Sequence, residues 1–171
     1  MCLKKYITKR AFTLVELMLY VSIAAIILLA ISIFFGTILD SKNKNKVVTE
    51  VDQQGVRVMN LITQTMRNAT AINSPAAGIV SASTSLNTPT GANNPTIFDI
   101  ASGTIRIKEG AGAFIPLTNS RITASNLSFY NLTRATTMGN IQIKFTLTAV
   151  NFDNRYPFAY SKDFVSTASL R

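Results

Sequence analysis

The sequence has no histidine and one cysteine, Cys2. The first absence excludes histidine-dependent catalysis, and the two together exclude a Cys/His zinc site. A lone cysteine cannot close an internal disulfide, so packing must hold the fold together. Carboxylates are scarce as well: eight Asp and Glu stand against 17 Lys and Arg, for a net charge of +9. That balance suggests nucleic acid, but Lys4, Lys5, Lys9 and Arg10 sit at the very start, and removing residues 1–11 lowers the charge to +5. The other basic residues are scattered, apart from Lys42, Lys44 and Lys46. An anionic membrane surface explains these three more simply than DNA does, so direct nucleic-acid binding is not expected. No nucleophile elbow or other catalytic motif accompanies the many Ser and Asp. Asp153, Asn154 and Asp163 match no calcium loop and read as turn residues. No catalytic residue, metal ligand or cofactor is assigned, and the chain does not read as an enzyme.

Charge is also missing from residues 17–39, and so is proline. This mostly apolar run of about 23 residues would span roughly 35 Å as a helix, enough for a hydrocarbon core of about 30 Å. A cleaved secretory signal usually has an apolar region of only about 7–15 residues. The best small-x-small site here, Ala30-Ile31-Ser32, runs on into Ile33-Phe34-Phe35. The basic, acid-free leader predicts a cytoplasmic N-terminus and an exported C-terminal part, in a single-pass inner-membrane protein.

One carboxylate, Glu16, stands at the mouth of this run. A charge inside a bilayer costs about 2.5–3.5 kcal/mol on insertion scales and normally finds a partner. No Lys or Arg occurs from Phe12 to Leu39, so the charge argument looks to a chain terminus or another molecule. A cut between Ala11 and Phe12 would create an amine one helical turn from Glu16, able to reach the Glu16 of a neighbouring copy. Alternatively, Glu16 simply favours the positive end of the helix in the headgroup zone.

Beyond the run, Val48, Val51, Gly55, Val58, Ile62, Met66 and Ala69 recur every three or four residues and predict an amphipathic helix over 47–72. Gly55 on its apolar side invites close backbone approach. Asn73-Ser74-Pro75 supplies the stop. The two segments together predict one helix from about Thr13 to Ile72, weakest at Gly36 and 41–46, where bending or melting is expected. Residues 76–95 read as a loop with one short strand at 79–82. Then the period becomes two, and strands are predicted at 96–101, 104–108, 113–117, 122–130, 141–150 and 158–170, with Gly110-Ala111-Gly112 as a turn. A long helix followed by strands is an α+β pattern: the helix covers the apolar face of an antiparallel sheet. The expected divisions are 1–11 leader, 12–39 membrane helix, 40–75 amphipathic helix and 76–171 sheet domain. Sequons at Asn68, Asn126 and Asn131 are ascribed to chance in an Asn/Thr-rich chain. Tyr130, Tyr156, Phe158 and Tyr160 read as core or subunit-contact residues.

The segment Lys9-Arg10-Ala11-Phe12-Thr13-Leu14-Val15-Glu16-Leu17 resembles the class III signal of type IV pilins and pseudopilins. The resemblance implies a pilin-like fold and cleavage by prepilin peptidase between Ala11 and Phe12. It also implies N-methylation of Phe12, and a registry role for Glu16 against the N-terminus of an adjacent subunit. The residue before the cut is usually Gly in that family and is Ala11 here. Pro116-Leu117-Thr118, the ending 164–171 and the absence of a disulfide-bonded loop look more like minor pilins or pseudopilins than abundant pilins. The implied partners are other pilin or pseudopilin subunits, prepilin peptidase, an inner-membrane assembly platform and the lipid bilayer. The expected function is a structural subunit of a type IV pilus-like or type II secretion-like filament. The alternatives are an unpolymerised membrane-anchored binding domain and an anchored hydrolase built from Ser, Asp and Lys.

Overall fold

The computed structural model describes residues 13–89, 91–150 and 159–171. The chain divides into two compact units, Met1–Lys42 and Asn43–Arg171. A single helix, α1 (Leu14–Asn68), supplies the described part of the first unit and opens the second.

In the first unit the apolar side chains of α1 are exposed all round. Leu14, Ile26, Leu28, Phe34 and Phe35 are each more than 60% exposed. The helical backbone continues through Gly36 and 41–46, so the local melting expected there does not occur. A single glycine costs about 1 kcal/mol, too little to break a helix of good formers.

In the second unit one stripe of α1 is buried: Val51, Gly55, Val58, Ile62 and Met66, at steps of four, three, four and four. Nine strands follow among the described residues: β1 (Ala71–Ser74), β2 (Val80–Ser81), β3 (Thr84–Asn87), β4 (Thr96–Ala101), β5 (Thr104–Glu109), β6 (Ile115–Pro116), β7 (Ile122–Asn131), β8 (Asn140–Ala149) and β9 (Ser161–Ser169). They form two antiparallel sheets rather than one, ordered β1-β3-β4-β5-β6 and β2-β7-β8-β9. The stripe of α1 shares one core with Leu86, Phe98 and Ile105 of the first sheet and Phe129, Ile143, Phe145 and Leu147 of the second. The expected α+β, pilin-like architecture of a long helix on antiparallel sheet is therefore present.

Gly55 allows the closest approach. A Cβ there would fall inside the ring of Phe164 on β9. That ring stacks on Phe145 with centroids 5.3 Å apart. Nearby, Lys162 Nζ donates to Asp52 Oδ1 at 3.0 Å, tying the same strand to the same helix.

Three expectations need correction. The helix ends at Asn68 and not at Ile72, because 71–74 form β1 and pair with β3. Past Asn68 the chain satisfies its backbone on a strand instead. The Thr70 N–H donates to Asn87 O at 2.7 Å, and Asn73 Nδ2 to Asn87 Oδ1 at 2.6 Å. The loop expected over 76–95 contains β3, with Thr84 and Leu86 both buried. Polar side chains hid it: Thr84 is buried only because its hydroxyl donates to Ser74 O at 2.8 Å. Finally, β7 changes parity. Ile122 and Ala124 are buried, then Leu127, Phe129 and Asn131, with the register shifting between Ser125 and Ser128. Asn126 occupies this bulge at φ 54°. One extra residue moves every later side chain to the other face.

Elsewhere the period-two reading holds. β4 and β5 meet through Ser102 and Gly103, both at positive φ, as a two-residue hairpin turn demands. β6 pairs back on β5 as expected but is only two residues long, with Pro116 on the sheet edge.

Candidate functional site

The head of α1 is built from Thr13, Glu16 and Tyr20. Thr13 precedes the helix, and its Oγ1 accepts from the Glu16 N–H at 3.3 Å. Its carbonyl accepts from the Leu17 N–H at 3.2 Å. Thr-x-x-Glu is the capping-box spacing, and the threonine side of it is made. The Glu16 carboxylate thus lies in the first turn, where it complements the positive end of the helix.

Glu16 is half-buried, whereas the residues on either side of it are exposed. Its Oε1 accepts from the Tyr20 hydroxyl at 3.3 Å. The charge argument missed Tyr20 because it sought a cation. The available signal was a tyrosine four residues on, on the same helical face. A phenol occupies one lone pair but, being neutral, does not itself compensate the negative charge. Farther along, the hydroxyls of Ser22, Ser32 and Thr37 donate to the carbonyls of Leu19, Leu28 and Phe34 at 2.8–2.9 Å. Polar groups satisfied within their own helix are what a lipid environment requires. α1 is the one helix among the described residues long and apolar enough to cross a membrane, and its apolar window is unburied.

Of the expected site residues only Glu16 is described; Ala11 and Phe12 lie outside the described residues, as do residues 1–10. So do Asp153, Asn154, Tyr156 and Phe158. Asp163 accepts from Thr146 Oγ1 at 2.7 Å, as a strand-surface residue would. Tyr160 packs against the core, while Tyr130 is 36% exposed. Asn131 is buried and its amide donates to Pro75 O at 2.7 Å, so the folded chain does not offer it as a sequon. Asn126 is held by Thr146 Oγ1 at 3.3 Å. Among the described residues no group of Cys, Asp and Glu comes together that could hold a metal ion.

The strongest electrostatic pairs lie in the second unit and tie structure together. Arg106 Nε and Nη2 meet both oxygens of Asp99 across β4 and β5, at 3.0 and 2.6 Å. The hydrogen bond to Asp99, helped by its charge, raises the Arg106 pKa. The bond to Asp52 likewise raises that of Lys162 above its ordinary 10.5, against a smaller opposing effect of desolvation.

No curated protein and no solved structure matches the chain. The family described as the prokaryotic N-terminal methylation motif matches residues 8–32, a span that holds Glu16, Tyr20 and the first turns of the exposed apolar helix. That motif, leading into a membrane-length helix whose second part packs on antiparallel sheets, supports a type IV pilin-like protein.

Proposed function

We propose that this chain is a structural subunit, a minor pilin or pseudopilin, of a type IV pilus-like or type II secretion-like filament. Prepilin peptidase removes residues 1–11 on the cytoplasmic side, and Phe12 becomes the methylated N-terminus. The subunit waits in the inner membrane with residues 43–171 exported. An assembly platform then draws the apolar helix out of lipid and into a bundle of like helices. Its apolar surface stays out of water in both states. Glu16 accepts the Phe12 amine of an adjacent subunit, which fixes the axial register. The sheet unit faces outward from the cell-envelope or surface filament.

One observation carries the reading: the matched segment runs into a helix half whose apolar side chains are exposed on every face, while its single carboxylate has a neutral side-chain partner, Tyr20, among the described residues. Such a surface needs lipid or other helices around it, and such a carboxylate needs a cation. The absence of a disulfide and the character of 116–118 and 164–171 support the minor-pilin or pseudopilin assignment.

The test is mass measurement of the chain in sheared filaments, alongside Glu16→Ala. Expected are a chain beginning at a methylated Phe12 and a variant that reaches the membrane but not the filament. A filament subunit that still begins at Met1 would overturn the reading. Membrane insertion without any processing, together with indifference to Glu16→Ala, would favour an unpolymerised anchored domain.

A further inference from the structure

The hydroxyls in the apolar half of α1 are of two kinds. Those of Ser22, Ser32 and Thr37 return to carbonyls of their own helix, at Leu19, Leu28 and Phe34. The Tyr20 hydroxyl reaches a side chain instead and donates to Glu16 Oε1 at 3.3 Å. Helical geometry sets up this contact. Side chains lean back toward the N-terminus, so a residue lies over the one four positions before it. Tyrosine is long enough to carry a donor that far. Glu16 is half-buried, whereas Val15 and Leu17 beside it are exposed.

The cap fixes the backbone beneath, because Thr13 Oγ1 accepts from the Glu16 N–H at 3.3 Å. Glu16 is therefore held twice, by its amide and by one carboxylate oxygen. Its Oε2 makes no hydrogen bond or ion pair among the described residues. A free glutamate side chain has rotamers to lose when it meets a cation, and that loss weakens the pair. A carboxylate already held by one oxygen has lost them beforehand, so it binds its partner more tightly. The charge must still come from elsewhere, since a phenol is neutral at pH 7.

We propose that Tyr20 is a positioning residue for Glu16: its hydroxyl holds Oε1 and leaves Oε2 to receive the amine of an adjacent subunit. The role rests on the filament reading above. It adds a second residue, one turn along the helix, on which axial register depends.

The test compares Tyr20→Phe, which removes only the hydroxyl, with Tyr20→Ala and Tyr20→Gln in the full chain. Tyr20→Phe should be processed and inserted as before but enter filaments about fivefold less, the usual worth of one hydrogen bond. Tyr20→Gln keeps a donor on the same helical face and should recover most of that loss. In membranes holding the chain with isotope-labelled glutamate, the Glu16 carboxylate gives an infrared band, assigned by its loss in Glu16→Gln. That band should shift in Tyr20→Phe. An unshifted band would overturn the proposal and leave the filament reading standing. So would normal assembly of Tyr20→Phe with failure of Tyr20→Ala alone, which would make the ring a packing residue. Normal assembly of Glu16→Ala would overturn the registry role of Glu16 itself, and that of Tyr20 with it.

Discussion

The two halves of α1 share a backbone conformation and differ in nearly everything else. Over 14–39 apolar residues occur on all sides and all are exposed; over 43–68 most of them gather in one stripe, and that stripe is buried, with Val56 and Leu61 exposed outside it. A helix that is apolar all round has no preferred face and can be content in lipid or among like helices. A helix with one apolar stripe commits to a single orientation on a core. The comparison teaches that hydrophobicity alone does not decide what a helix packs on; its angular distribution does.

Paired substitutions in the two halves can break that comparison. The largest expected contrast is isoleucine truncation. Ile62→Ala removes a fully buried side chain and should cost about 2–5 kcal/mol of stability, whereas Ile26→Ala should leave unfolding of the sheet unit unchanged. Chemical denaturation in neutral micelles, followed by sheet circular dichroism, reads both; equal effects would deny the division. Glycine gives the next contrast. Gly55→Ala puts a methyl into the Phe164 ring and should cost about 1–3 kcal/mol, while Gly36→Ala meets open space and should gain up to about 1 kcal/mol of helix stability. The thermal melt of the sheet unit should therefore fall for Gly55→Ala and stay unchanged for Gly36→Ala, whose gain should show as slower amide exchange around residue 36.

Smaller effects sharpen the same boundary. Thr13→Ala removes the cap and should cost about 1 kcal/mol locally, visible as faster amide exchange at Glu16 and Leu17 but not in the sheets. The Asp52–Lys162 pair supplies the smallest effect, one of pH. Lys162 holds its proton more tightly in the folded state, so its contribution is fully present below about pH 10.5 and lost as pH rises through the higher folded value. Lys162→Met should flatten that alkaline loss, and pH-dependent denaturation would show it.

Much of this protein is legible without coordinates, for particular reasons. The stripe from Val51 to Met66 is visible because a helix repeats every 3.6 residues, and β8 because Ile141, Ile143, Phe145 and Leu147 alternate cleanly. Where pattern is weak or broken, reading fails. β1 and β3 are short and polar, and the bulge at Asn126 defeats a period-two reading of β7. At the head of α1, Glu16 stands out as a charge among apolar residues, but its hydrogen bond to Tyr20 does not, because a neutral partner leaves no mark in a count of charges.

The sequence by itself determined the membrane-length apolar run, the basic residues before it, the motif over 8–32 and the lone carboxylate at the head of the helix. These are local properties: length, charge and spacing along one stretch of chain. Only the tertiary structure decided that the strands divide into two sheets and that helix yields to strand after Asn68. Those outcomes depend on pairings between residues far apart in the chain. There, backbone hydrogen bonds and buried area compete between partners, and local propensity does not name the winner.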